Sequence, residues 1–155
     1  MIIDKMKAIL THVGAWAPKA EQVASAKYLK NDALTETYLN EIKTKVSDRL
    51  NAIYKGFCDL KNEGFSVDAI TPQAAIYLTV KIDIVGKTTV DGTLLRTNKD
   101  TTSYVLNEAK IAMVPFSAFG ASVDSPWYRI SVGTCKLEEI PQLITNLRIA
   151  LSKLK

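Results

Sequence analysis

The sequence predicts an α+β fold in which helices cover one face of a small antiparallel or mixed sheet of about three strands. Residues 31–64 and 137–155 repeat apolar side chains every three or four positions, as amphipathic helices do. Residues 75–84 and 127–132 are instead rich in β-branched and aromatic side chains. At 155 residues the chain has the length of one ordinary domain with its own core.

The N-terminal part of the chain predicts three helices. The first covers residues 2–13 and the second covers residues 18–29, with proline at the start of its first turn. Asn31 and Asp32 offer N-cap oxygens to a long third helix, which Gly64 ends because glycine adopts the left-handed conformation easily. The apolar positions of this helix keep a helical spacing throughout: Leu34, Tyr38, Ile42, Val46, Leu50, Ile53, Phe57 and Leu60.

The middle of the chain predicts one strand and one loop. Residues 75–84 form the strand, since their second half alternates apolar with polar side chains. Residues 86–100 are polar and contain the turn residues Gly92 and Asn98. We expect them to form a flexible loop of the kind often found at a binding cleft.

Beyond the loop the chain predicts a helix, two strands and a terminal helix. Thr101 or Thr102 caps the first of these, and Pro115 ends the strand that follows it. In order, the elements are a helix over 103–110, strands over 111–114 and 127–132, and a helix from Leu137 to the end.

Charge and composition exclude several classes of function. Twenty basic and sixteen acidic side chains leave a net charge of +4, spread evenly along the chain. Nucleic-acid binding is not expected, because it needs basic residues clustered on one face. No segment approaches the roughly 20 apolar residues of a membrane span. We therefore expect a protein of the cytoplasm that binds neither nucleic acid nor membrane.

The residues that usually carry metal or nucleophile chemistry are scarce. His12 is the only histidine in the sequence, and Cys58 and Cys135 are far apart in apolar surroundings. Neither the ligand spacing of a zinc site nor a cysteine and histidine pair is present. We expect no metal site and no catalytic residue in this chain.

Arg129 is the most informative side chain, because it interrupts the otherwise apolar strand Trp127-Tyr128-Arg129-Ile130. A guanidinium is a planar fork that binds a carboxylate through two parallel hydrogen bonds, which lysine cannot do. From these residues alone, a ligand carboxylate and a structural ion pair explain the arginine equally well.

Several motifs in order resemble the C-terminal part of the fold-type-I aminotransferases of class I and II, which use pyridoxal phosphate. They are Gly14-Ala15-Trp16-Ala17-Pro18 with Gln22, the long helix ending in glycine, Ala75-Ile76-Tyr77-Leu78, Val114-Pro115-Phe116-Ser117-Ala118-Phe119-Gly120, and Tyr128-Arg129-Ile130-Ser131. The resemblance covers nearly the whole chain. It implies that residues 1–30 belong to the large cofactor domain and residues 31–155 form the small C-terminal domain, with the long helix bridging the two.

The resemblance implies a role for Arg129 and an incomplete active site. Arg129 would bind the α-carboxylate of the amino-acid substrate, while the parent enzyme, a homodimer, transfers an amino group to a 2-oxo acid. The lysine that forms the Schiff base with pyridoxal phosphate and the phosphate site precede the matching region in this family. We therefore expect this piece to bind no cofactor and to be inactive without the missing large domain.

One departure and two alternatives accompany this interpretation. The family usually has glycine where Phe116 stands, so Phe116 either makes a different turn or fills space near the site. The chain is alternatively a free-standing module that binds a carboxylate or a partner through Arg129 and its exposed faces. A decarboxylase, lyase or synthase that uses pyridoxal phosphate on the same fold is the other alternative.

Overall fold

The chain folds into helices and one small sheet, which confirms the predicted α+β class. The computed structural model describes residues 2–14 and 17–155. It divides into two compact units, Met1–Ile42 and Lys43–Lys155. Ala15 and Trp16, which belong to the first resemblance motif, lie outside the described residues.

The first unit is helical and has little core of its own. Helix α1 spans Ile2–Val13 and α2 spans Lys19–Leu29, as predicted, and neither has a buried residue. Helix α3 spans Asp32–Asn62 and begins in this unit. Asn31 caps it, because its side-chain oxygen accepts a hydrogen bond from the Leu34 N–H at 3.2 Å.

The apolar stripe predicted along α3 is buried only in its second half. Leu50, Ile53, Phe57 and Leu60 are buried, whereas Leu34, Tyr38 and Ile42 are 54%, 52% and 39% exposed. The predicted stop at Gly64 is confirmed, with φ at +94°. The Phe65 N–H reaches back to the Leu60 carbonyl at 3.1 Å, the six-residue bond of a Schellman motif.

The sheet has four antiparallel strands, one more than the sequence predicts. They are β1 (Val67–Ala69), β2 (Tyr77–Ile82), β3 (Val114–Pro115) and β4 (Trp127–Ser131), in the order β1-β2-β4-β3. β1 escapes prediction because three residues are too few to show an alternating pattern. The strand predicted over 111–114 is wrong in its bounds, since only its last residue is a strand residue. Pro115 extends this strand, which an edge position allows.

Helix α4 spans Asn98–Ala109 and starts earlier than predicted. Thr97 is its N-cap, and Thr97 and Asp100 form a reciprocal capping box. The predicted caps are therefore wrong, and one of them, Thr101, is completely buried inside the helix.

The residues before α4 form an ordered turn. Thr88 and Leu94 make a β-bridge, and the backbone of Thr88 forms two 3.0 Å hydrogen bonds with Lys155. The loop predicted over 86–100 is therefore tied to the C-terminus, and its last residues belong to the helix.

The core of the second unit lies between one face of the sheet and the helices. Helix α5 (Ile140–Ser152) follows a short 3-10 helix at Leu137–Glu139, so the predicted terminal helix begins as a 3-10 turn. The buried cluster combines α3 with residues of α4, α5 and the sheet: Val105, Ala109, Ile144, Leu147, Leu151, Leu78, Val80, Ile82, Tyr128 and Ile130. The side chains between those strand residues point to the opposite face of the sheet.

Candidate functional site: an arginine between aromatic rings

Arg129 lies on β4 and faces away from the core. Its neighbours Tyr128 and Ile130 are buried, whereas Arg129 itself is half-buried. It is opposite Thr79 of β2 on one side and Val114 of β3 on the other. The apparent interruption of an apolar strand is thus the ordinary alternation of a strand that has one covered face.

Two aromatic rings hold the guanidinium. Its central carbon, Cζ, is 4.2 Å from the ring centroid of Tyr77 and 4.4 Å from that of Phe119. Tyr77 comes from β2, and Phe119 comes from a 3-10 helix over Phe116–Phe119 that follows β3. Each such cation–π contact contributes about 0.5–1 kcal/mol at an exposed site and more where water is excluded.

No carboxylate neutralises Arg129 within residues 2–14 and 17–155. Its guanidinium forms neither a salt bridge nor a hydrogen bond to any described residue there. The other cation on this face, Lys81, is 3.1 Å from the carboxylate of Asp83. The structural ion pair that the sequence left open thus has no partner in the described part of the chain.

Phe116 fills space beside the site without needing a special turn. The described non-glycine residues with positive φ are Ala75 and Lys110, so Phe116 has an ordinary backbone conformation. Its ring meets the Phe119 ring edge to face, with the centroids 6.1 Å apart and an interplanar angle of 71°. Gly120 ends the 3-10 helix at φ +91° and makes the turn that a side chain would strain.

A buried hydrogen-bond network holds β4 and the loop before it. The side-chain amide of Asn98 donates to the Val123 carbonyl at 2.7 Å and to the Ser125 carbonyl at 2.9 Å. The Tyr128 hydroxyl donates to the Asn98 oxygen at 3.1 Å, and burial raises the pKa of Tyr128. The sequence predicts Asn98 as a turn residue and does not indicate this network. A buried asparagine at a helix start gives no distinctive sequence signal.

A cavity of about 600 Å³ lies elsewhere, between residues 89–95 and α4, and Arg129 does not line it. Several of the polar groups that line it already bind one another or the backbone. The Glu108 carboxylate is 2.8 Å from the Lys153 amine, and the Tyr104 hydroxyl donates to the Ala150 carbonyl at 2.8 Å. We therefore place the candidate site at Arg129.

The surroundings of Arg129 do not fit pyridoxal phosphate on their own. That cofactor needs a lysine amine, an acid for its ring nitrogen and donors for its phosphate. The described neighbours of Arg129 are instead Tyr77, Phe119, Thr79 and Val114. In the described ranges there is also no cluster of three metal-ligating side chains and no helix suited to crossing a bilayer.

Comparison with known proteins confirms the family that the sequence resembles. The family model for aminotransferase class I and II matches residues 1–147. A probable aspartate/prephenate aminotransferase of Rickettsia conorii is 43% identical over 70 residues, which are 44% of this chain and 16% of the relative. The aspartate aminotransferase of Rhizobium meliloti is 28% identical over 138 residues, which are 88% of this chain and 31% of the relative.

The fold is also similar to that of a solved aminotransferase structure. A crystal structure of the aspartate aminotransferase from Rhizobium meliloti superimposes with a TM-score of 0.63 at 28% identity, covering 76% of this chain and 28% of that one. The chain spans less than a third of the length of these relatives. It belongs to the class I and II aminotransferases.

Proposed function

We propose that Arg129 binds the α-carboxylate of an amino-acid substrate in an aminotransferase that exchanges an amino group between an amino acid and a 2-oxo acid. One observation carries this proposal. The guanidinium is held by two rings, yet it has no carboxylate or hydrogen-bond acceptor among the described residues. Its donors therefore remain available to a ligand.

The chemistry of the guanidinium suits this ligand. A carboxylate accepts two parallel, charge-assisted hydrogen bonds from arginine, and these bonds fix its orientation as well as its position. The rings of Tyr77 and Phe119 restrict the rotamers that the Arg129 side chain can adopt. Holding a substrate in one orientation can lower a reaction barrier by several kcal/mol. Arg129 would thus orient the substrate, while other groups perform the chemistry.

The remaining groups of the active site would come from protein outside these 155 residues. That protein would supply the lysine, the phosphate site and pyridoxal phosphate, in a parent enzyme that works as a homodimer in the cytoplasm. Residues 1–30 and 31–155 would then belong to its large and small domains. By itself the 155-residue polypeptide would have no aminotransferase activity.

A chimaera tests the role of Arg129. Residues 31–155 replace the matching part of the Rhizobium meliloti aspartate aminotransferase, and kcat/KM for amino-acid substrates is measured. Arg129→Ala should lower kcat/KM by roughly 100- to 1,000-fold, because it removes two charge-assisted hydrogen bonds worth about 3–4 kcal/mol together. Arg129→Lys keeps the charge but not the fork, and should lose roughly tenfold.

Arg96 provides the matched control, because it is an exposed arginine two residues before α4 whose side chain takes no part in the site. Arg96→Ala should leave kcat/KM within about twofold of the parent chimaera. If Arg129→Ala behaves like Arg96→Ala, the carboxylate role is wrong.

Reduction with borohydride tests the expected inactivity of the 155-residue polypeptide. The purified chain is mixed with pyridoxal phosphate, reduced, and examined by peptide mass spectrometry. We expect no stoichiometric labelling of a single lysine, because the lysine on the Arg129 face, Lys81, is already paired with the Asp83 carboxylate. One lysine labelled to completion would refute this part of the proposal.

The open guanidinium also suits the second candidate, a free-standing carboxylate-binding module. Titration of the chain with amino acids and 2-oxo acids, followed by calorimetry, separates the two functions. Without the rest of an active site we expect no saturable binding at millimolar ligand. Saturable binding that Arg129→Ala abolishes would favour the module.

A further inference from the structure

We propose that Phe116 is a positioning residue for Arg129 and acts through Phe119. The inference deepens the proposed function, since it matters for substrate capture only if Arg129 binds the carboxylate. It rests on a continuous series of contacts from Phe116 to Phe119 and from Phe119 to the Arg129 guanidinium.

The Phe119 ring needs support to hold the arginine. Phe119 is 53% exposed, so much of its ring faces solvent. A ring held on one side only would exchange between rotamers, and the guanidinium resting on it would follow. Arginine is among the side chains that lose the most conformational entropy when they are fixed. Whatever limits the Phe119 ring therefore also limits Arg129.

Phe116 is placed to give this support. It lies three residues before Phe119 in a 3-10 helix, where residues i and i+3 lie above one another. Phe116 is half-buried, and it meets the Phe119 ring edge to face at 6.1 Å. Such ring pairs contribute more than their buried area alone would give.

Gly120 secures the same turn from the other end. Its N–H donates to the carbonyls of Phe116 and Ser117, and its φ of +91° closes the 3-10 helix directly after Phe119. The backbone of the turn is thus fixed independently of the rings. A change at Phe116 that removes only the ring should leave this backbone in place.

The second ring, Tyr77, is independent of this series. It comes from β2 and lies diagonally across the strand pair from Arg129, because Thr79 is the residue directly opposite. Loss of the Phe116 ring should therefore loosen the guanidinium on the Phe119 side alone. Glycine, which the resemblance led us to expect at position 116, would leave Phe119 without this support.

Nuclear magnetic resonance of the 155-residue chain tests the proposal without any ligand. A guanidinium over the faces of two rings should show an Arg129 Nε–H proton shifted upfield, together with a high heteronuclear NOE for Nε. Phe119→Leu should remove a large part of the upfield shift. Phe116→Ala should remove part of it and also lower the NOE, whereas Phe116→Tyr, which keeps a ring, should restore both.

Two controls separate positioning from a loss of structure. The backbone amide shifts of β4 report whether each variant is folded, and Phe116→Leu, which keeps apolar volume without a ring, replaces Phe116→Ala if that variant unfolds. Leu137→Ala removes an exposed apolar side chain from the other 3-10 helix and should leave Arg129 unchanged. The proposal is overturned if the ring-less Phe116 variants keep the wild-type Arg129 signal while Phe119→Leu alters it.

The chimaera keeps this inference distinct from the proposed function. A looser Arg129 weakens ground-state and transition-state binding alike, so Phe116→Ala should raise KM roughly three- to tenfold with a smaller change in kcat. If Arg129→Ala has no kinetic effect, the proposed function fails, whereas the ligand-free resonance of Arg129 still decides whether Phe116 positions it.

Discussion

Substitution of Asn98 should lower the stability of the second unit more than substitution of most of its other polar residues. Asn98→Ala removes two hydrogen bonds to the carbonyls of Val123 and Ser125 and leaves the completely buried Tyr128 hydroxyl without its Asn98 partner. Each of the two neutral hydrogen bonds contributes about 0.5–1.5 kcal/mol, while the buried hydroxyl left without this partner costs about 1–3 kcal/mol. We expect the free energy of unfolding to fall by about 3 kcal/mol.

A double-mutant cycle isolates the hydroxyl. Tyr128→Phe should cost about 1–2 kcal/mol, because it leaves the Asn98 oxygen buried and without this donor. The double variant has neither the Tyr128 hydroxyl nor the Asn98 amide, so neither group is left without the other. Its total cost should therefore be smaller than the sum of the single costs by about 1 kcal/mol or more.

Urea unfolding followed by circular dichroism measures these differences, provided that the m-value stays constant. Asn107→Ala is the control, because Asn107 lies on the same helix with an exposed side chain, and it should change stability by about 0.5 kcal/mol or less. The reasoning is refuted if Asn98→Ala costs no more than this control, or if the two single costs add fully.

Three further predictions concern local structure. Gly56→Ala places a methyl group against the Ile144 side chain. The cost of overpacking should exceed the gain of about 1 kcal/mol in helix propensity, so the urea midpoint should fall. Adding Ile144→Val should restore part of the lost stability. Lys110 ends α4 at φ +60°, so Lys110→Val should cost about 1–2 kcal/mol in urea unfolding while Lys110→Gly should not. The Thr97 hydroxyl and the Arg96 N–H hold the pKa of Asp100 below its ordinary value of 3.8. The unfolded chain then binds the proton more readily, so this contribution is present above pH 3.8 and lost as pH falls below it. Asp100→Asn should reduce the acid dependence of the thermal midpoint, and an unchanged acid dependence would contradict this assignment.

The helices were the most predictable part of the fold, because their signals are local. Asn31 and Gly64 carry chemistry specific to helix ends, and both act where the sequence indicated. The start of α4 was also encoded locally, in Thr97 and Asp100, but a polar loop pattern concealed it. The true start of α4 therefore depends on a local capping box and not on tertiary contacts.

The surroundings of Arg129 could be predicted only in part. Strand alternation predicts that the Arg129 side chain lies on the sheet face away from Tyr128. Phe119, whose ring Arg129 contacts, belongs to the motif that precedes β4 in the sequence. Tyr77 is different, because its contact depends on the register between β2 and β4, which pairs Thr79 with Arg129. No local pattern sets that register, so the second ring became visible only in the folded chain.

The shortness of the outer strands limits how this protein can associate. β1 and β3, which form the two rims of the sheet, have three and two residues, and one of the latter is Pro115. Such rims offer few unpaired backbone groups to an incoming strand, so fibril-like growth through the sheet is disfavoured. Aggregation at high concentration should instead begin at the exposed leucine, isoleucine and valine side chains of the N-terminal helices.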